Sequence, residues 1–196
     1  MKDEGAEMNW LKRLCLPVKR IAAHEAGHAL LAWRSPYVTK VAEVSLLRGR
    51  TTFFQVLGDS PDLLFDQIVI RLAGIAGELA VFGKYRPKGG VTDVVSAREW
   101  AEALAEHDDY SLWRLRRLIE AKPGPEGRPD VPTLDHEALF PGLARDIVWG
   151  ILDRAYIAAW DGIKAADDAH ARAMRALIEN DRLDRSDLYA IFGPRP

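Results

Sequence analysis

The run Ile21-Ala22-Ala23-His24-Glu25-Ala26-Gly27-His28-Ala29-Leu30-Leu31-Ala32-Trp33 constrains this chain more than any other stretch. It is almost wholly apolar, yet it carries two histidines and a glutamate in an H-E-x-x-H arrangement. On an α-helix, residues four apart lie about 6 Å apart along the axis and about 40° apart around it. His24 and His28 can therefore aim two imidazoles at one metal ion, and Glu25, one step round from His24, can reach a water bound to that ion. The apolar flanks make the helix a buried one, which keeps bulk water away and holds the ligands still. Two buried histidines beside a buried glutamate are costly unless a metal or hydrogen-bond partners satisfy them. The bland alternative is a pair of histidines on an ordinary core helix, each bonded to a neighbour.

The chain has 196 residues, enough for one large domain or two small ones with a proper hydrophobic core. Its net charge of -2 gives no general electrostatic case for nucleic acid or an anionic membrane as a partner. Cys15 is the only cysteine, so no internal disulfide can form, which suits a reducing compartment and excludes a cysteine-rich structural zinc site. No apolar run is long enough to span a bilayer, and the polar start, Met1 to Glu7, lacks the features of a signal peptide; a cytoplasmic location is expected. No G-x-x-x-x-G-K-[ST] phosphate loop appears in the sequence.

Along the chain, residues 1–16 are expected to form a short amphipathic segment, with Met8, Trp10, Leu11, Leu14 and Leu16 on one helical face. Pro17 restarts the chain, and the histidine-bearing helix runs from about Val18 to Arg34, where Ser35-Pro36 ends it. Two strands follow, one carrying Val38, Val41 and Val44 to Leu47, the other Thr51 to Leu57, joined by a turn at Arg48-Gly49-Arg50. A long helix is expected from Asp62 to about Gly83, with Leu72-Ala73-Gly74-Ile75-Ala76-Gly77-Glu78 forming a small-residue face suited to close helix packing. Glu78 is the one acid on that face. Another helix starts at Thr92 or Asp93 and reaches about Glu106. Asp93 reads in two ways, as a helix cap or as the carboxylate that completes a three-ligand zinc set. His107-Asp108-Asp109 is expected to be a polar helix end, and a further amphipathic helix carries Leu112, Trp113, Leu115, Leu118 and Ile119. The Pro- and Gly-rich stretch 122–134 is the clearest linker, with His136 just after it. The remainder is helical in pattern: one helix through Ile147, Ile151 and Ile163, a second from Ala169 to Asn180 with His170 exposed, and a short last helix capped by Asp184.

Three of these segments, in order, resemble the peptidase domain of the FtsH-type zinc proteases, the membrane-bound AAA+ proteases. They are Ala23-His24-Glu25-Ala26-Gly27-His28-Ala29-Leu30; Leu72 to Glu78 followed by Phe82-Gly83; and Gly90-Val91-Thr92-Asp93-Val94 with Ala97. The resemblance extends over most of the chain from about Pro17 onward. It implies a mainly α fold with a small β element, a zinc metallopeptidase core with the H-E-x-x-H helix, and a C-terminal helical bundle. The expected organisation is an N-terminal segment (1–16), the metallopeptidase core (17–121), a linker or loop (122–134) and a C-terminal helical part packed on the core (135–196).

By the same resemblance His24, His28 and Asp93 would bind Zn2+, Glu25 would be the general base, and Glu78 would sit beside a ligating histidine to orient it. This chain departs from the family at Ile75 and Leu79, where an arginine and a second glutamate are usual, at Thr92, where asparagine is usual, and at Leu47-Arg48-Gly49 and Thr51-Thr52-Phe53-Phe54 in the strand region. The expected function is a zinc-dependent metalloendopeptidase, ATP-independent in itself, that cleaves unfolded or flexible polypeptides. A separate ATPase or adaptor is a conceivable partner, a homo-oligomer is left open, and neither nucleic acid nor a membrane is expected to bind. The alternative is a proteolytically inactive zinc-binding regulatory or interaction module of the same fold.

Overall fold

The computed structural model describes residues 16–86, 90–114, 128, 130–133, 135, 139 and 147–195. The expected N-terminal amphipathic segment with Cys15, the helix beyond Arg114, most of the Pro-rich stretch and His136 lie outside the described residues.

Helix α1 (Leu16–Arg34) carries the histidines. Pro17 sits in its first turn, where a missing N–H costs nothing, and Ala22 to Trp33 are all buried. The helix stops where expected, before Pro36. Ser35 fastens that end: its N–H donates to the Leu31 carbonyl, and its hydroxyl accepts from Tyr37 N–H and donates to Asp66 at 2.6 Å. A hairpin of β1 (Val38–Ser45) and β2 (Arg50–Gln55) follows, with Gly49 at φ 51° in the connecting turn. A third strand that the sequence did not suggest, β3 (Arg182–Leu183 near the chain end), pairs antiparallel with Val44 and Ser45. The sheet order is β2-β1-β3, which leaves β2 as an edge.

Helix α2 (Pro61–Phe82) is capped at both ends. Ser60 accepts from Leu63 N–H, and Gly83 takes the left-handed conformation (φ 65°) that only glycine adopts without strain. Helix α3 (Val91–Glu106) follows, then a helical turn at 110–114 whose Trp113 indole donates to Asp62 at 2.9 Å and packs against Phe65. His107 is the C-cap of α3, and its Nδ1 accepts from Asp109 N–H, in keeping with a polar helix end. From the Pro-rich stretch, Arg128 holds Asp161 of α4 (Ile147–Lys164) through two hydrogen bonds of 2.8 and 3.0 Å. Helices α5 (Asp167–Asn180) and α6 (Arg185–Phe192) close the fold, the latter with a full capping box between Asp184 and Asp187.

The described residues are mainly α-helical with one small antiparallel sheet. The core runs through Leu30 and Trp33 of α1, Ile68 and Leu72 of α2, Ile151 of α4 and Leu177 of α5. Helices α1 and α2 approach so closely that a Cβ on Gly27 would lie 2.3 Å from the Ala73 carbonyl oxygen. The small-residue face of α2 is therefore pressed against the backbone of α1. At the far end of α1, the Arg195 guanidinium collects the carbonyls of Trp33, Ser35, Val38 and Thr39, a cation placed at the negative end of the helix dipole. No helix among the described residues is long and apolar enough to cross a membrane.

Candidate functional site

Helix α1 presents His24, Glu25 and His28 toward the groove between α2, α3 and the hairpin, and all three are buried. Their neighbours come from three other elements. Asp93 lies in the first turn of α3, but it is not the helix cap: Gly90 holds that position, with no side-chain cap bond. The Asp93 carboxylate turns instead to the histidines, with Oδ2 3.0 Å from His24 Nε2 and 3.3 Å from His28 Nε2. The two Nε2 atoms are themselves 3.0 Å apart.

The other ring nitrogens settle the protonation. His28 Nδ1 lies 2.7 Å from the Ile70 carbonyl oxygen, which can only accept, so Nδ1 carries the hydrogen. His24 Nδ1 lies 3.0 Å from Glu78 Oε1, a carboxylate acceptor, with the same consequence. In the neutral rings both Nε2 atoms then present lone pairs to each other and to the Asp93 carboxylate. Three such acceptors at 3.0–3.3 Å need either a proton on His24 Nε2 or a metal ion in their midst. A tetrahedral zinc ion with bonds of about 2.0–2.1 Å spaces its ligand atoms about 3.3 Å apart, so the triangle fits such an ion in both size and donor type. His24, His28 and Asp93 are the group of side chains among the described residues that could hold a metal ion.

Gly74 of α2 makes room for the rings, since a Cβ there would lie 2.4 Å from His24 Nε2 and 2.6 Å from His28 Nε2.

The electrostatics tell the same story. Burial alone would lower the His24 pKa, but Asp93, Glu78 and Glu25 outweigh it and push it up to about 10. Burial would raise Asp93, yet His28 and His24 hold its carboxyl well below the usual carboxylate range. The pocket thus holds a positive charge strongly.

Glu78 is buried, not a solvated helix charge. Its second oxygen, Oε2, accepts from Arg20 at 3.2 Å and from Arg86 N–H at 3.3 Å. Arg20, one turn before His24, also donates to the Lys84 carbonyl at 2.9 Å and stacks over Phe82. Sequence reasoning missed Arg20; its spacing of four residues from His24, on the same helix face, was the available signal. Arg71 of α2 was missed as well. It lies 3.7 Å from Asp93 Oδ1 and over the Phe53 ring of β2.

Glu25 Oε2 accepts from the Thr51 hydroxyl of β2 at 2.9 Å. Its other oxygen makes no hydrogen bond among the described residues, and the glutamate lines a cavity of about 380 Å³ together with Arg20, Ile21, Gly49, Glu78 and Arg86. His170, expected to be exposed, is 1% exposed, and its Nε2 is 2.9 Å from the Ala23 carbonyl oxygen, where α5 meets α1. Its polar sequence neighbours Asp167, Asp168 and Arg172 point to a solvated surface, but His170 itself lies on the one face of α5 that meets α1.

No family model matches the chain. Among curated proteins, it is 28% identical over 188 residues to the ATP-dependent zinc metalloprotease FtsH of Corynebacterium glutamicum, an alignment that takes in 89% of this chain and 22% of that protein. The FtsH of Mycobacterium tuberculosis is 29% identical over 194 residues, with 89% of this chain and 24% of the relative covered. FtsH 2 of Sphaerobacter thermophilus is 25% identical over 182 residues, with 89% and 26% covered. The chain spans about a quarter of the length of these curated relatives. It resembles a fragment of the FtsH zinc metalloproteases.

Proposed function

We propose that this chain is a zinc-dependent metalloendopeptidase that hydrolyses peptide bonds in unfolded or flexible polypeptides. The observation that carries the reading is the triangle of His24 Nε2, His28 Nε2 and Asp93 Oδ2, all acceptors when the rings are neutral, with Glu25 lining the same cavity as His24. His24, His28 and Asp93 would hold the zinc. Bound there, zinc supplies Lewis acidity that polarises a scissile carbonyl and makes water a stronger acid.

Glu25 is the general base: its carboxylate takes a proton from the attacking water and returns it to the leaving nitrogen. The Ile70 carbonyl and Glu78 fix the two imidazole rings by holding their Nδ1–H groups, and Arg20 balances the charge of Glu78. Burial of the site keeps bulk water from competing for the same groups. Similarity to proteases named ATP-dependent supports a separate ATPase or adaptor as the source of unfolded substrate. The core–linker–bundle organisation belongs to the same proposal.

The test is Glu25→Gln in the zinc-loaded protein, assayed on a labelled unfolded polypeptide such as casein. Zinc content should stay at the wild-type level while cleavage falls by about 10²–10⁴-fold. Full cleavage in that variant would sink the mechanism. No cleavage by either protein, with zinc bound, would assign the chain to the inactive zinc-binding module instead.

A further inference from the structure

We propose that Thr51 is a positioning residue for the general base. Its hydroxyl, delivered by the edge strand, holds one oxygen of the Glu25 carboxylate and so leaves the other directed at the water it deprotonates. This rests on the peptidase reading above.

The Thr51 Oγ1 lies 2.9 Å from Glu25 Oε2 and 3.2 Å from the Glu25 backbone oxygen. One hydroxyl hydrogen serves both, and the nearer, charged carboxylate oxygen is the stronger acceptor. Among the described residues this is the only hydrogen bond to the Glu25 carboxylate, although the residue is 4% exposed. Glu25 has three side-chain torsions, and among the described residues no other hydrogen bond holds its charged end in place.

Thr51 suits the task because its hydroxyl position follows from the backbone. A β-branched side chain has a restricted χ1, and the backbone is locked by pairing of Thr51 with Val44, flanked by Ser45 with Arg50. The hairpin has two register irregularities, between Val38 and Lys40 and between Val41 and Glu43, and both lie on the far side of this pair from the turn. Thr51 and Phe53 share the face of β2 that meets the site, where Phe53 carries Arg71. A slip of one residue would present Thr52 and Phe54 in their place.

The experiment compares Thr51→Val, which keeps the β-branch and removes the donor, with Thr51→Ser, which keeps the donor, and with Glu25→Gln run in parallel. All are made in the full chain. The readouts are zinc content, kcat and KM on labelled casein, and crystal structures of the metal-free proteins. Thr51→Val should bind zinc normally, lose about 10- to 100-fold in kcat at nearly constant KM, and show the Glu25 carboxylate displaced. Thr51→Ser should recover most of the rate. Unchanged kcat in Thr51→Val, an unmoved Glu25 carboxylate in its structure, or a Thr51→Ser protein as slow as Thr51→Val would overturn the proposal. Full activity of Glu25→Gln would defeat the peptidase reading instead, while the Glu25 position in the Thr51→Val structure would still report whether Thr51 holds it.

Discussion

Arg20 and Glu78 form an ion pair of 3.2 Å behind His24, with both side chains almost wholly removed from solvent. Glu78 is thereby shared between a fixed positive charge and the Nδ1–H of His24. Replacing Arg20 by methionine leaves the Glu78 carboxylate buried beside His24 without its counter-ion. Breaking a buried pair from one side costs about 3–5 kcal/mol, so thermal or denaturant unfolding of Arg20→Met should show a loss of that order. An unfolding curve that overlays the wild type would refute this role.

Glu78→Gln keeps the volume and one acceptor for His24 Nδ1–H, but its NH2 group then faces the Arg20 and Arg86 donors and Arg20 loses its counter-ion, so stability should fall as well. It also gives up the charge that, in the proposed zinc site, would make His24 a better ligand. Outer partners of ligating histidines are worth about 10–100-fold in metal affinity. Competition with a zinc-binding dye, run at a temperature where the variant is still folded, should show a weakening in that range.

Gly74→Ala separates site from fold. Alanine is the better helix former by about 1 kcal/mol, yet its Cβ would fall 2.4 Å from His24 Nε2. The imidazoles can swing away, so the protein should fold and fail to bind zinc. Gly27→Ala meets the Ala73 backbone oxygen instead, which has no such freedom. It should lower stability directly, and circular dichroism melts of the two variants should differ accordingly.

His170 gives a pH dependence of known sign. Burial lowers its pKa from the ordinary 6.5, against the opposing pull of the Ala23 carbonyl. The folded protein therefore binds this proton less readily than the unfolded chain. Its contribution to stability is complete above about pH 6.5 and is lost as pH falls toward the folded value. The midpoint difference between the wild type and His170→Gln should shrink or reverse on going from pH 7.5 to pH 5.5. A constant difference would rule out this titration.

Metal removal should destabilise the fold. At a free zinc concentration of 100 times Kd, binding to the native state alone contributes about 2.7 kcal/mol. For a chain of this size that corresponds to a fall in Tm of roughly 5–10 °C on chelation. The double variant His24→Ala, His28→Ala should melt at one temperature with or without chelator.

Much of this was legible in the chain. The apolar run, the proline at each end of α1 and the glycine after Phe82 placed the two central helices to within a residue or two, because local chemistry alone terminates them. The three acceptor side chains that meet in the groove were legible from spacing and resemblance. What lay outside the sequence was contact between distant elements. β3 has only two residues, too few for a periodic signal, and exists because β1 offers it an edge. The burial of His170 depends on which face of α5 meets α1, and the neighbouring aspartates and arginines obscure it. Thr51 was legible as a strand residue, but the hairpin register decides that its hydroxyl and not that of Thr52 meets Glu25.

The glycines at 27, 74 and 77 bear on any effort to move this site to another scaffold. A Cβ at Gly77 would lie 2.6 Å from the Ala23 oxygen and 2.9 Å from His170 Nε2, so each of the three excludes a methyl group for its own reason. Grafting His24, Glu25, His28 and Asp93 onto a host helix pair of ordinary spacing would carry over the ligands and lose their meeting point. The smallest portable unit is defined as much by atoms that are missing from α1 and α2 as by those that would touch the metal.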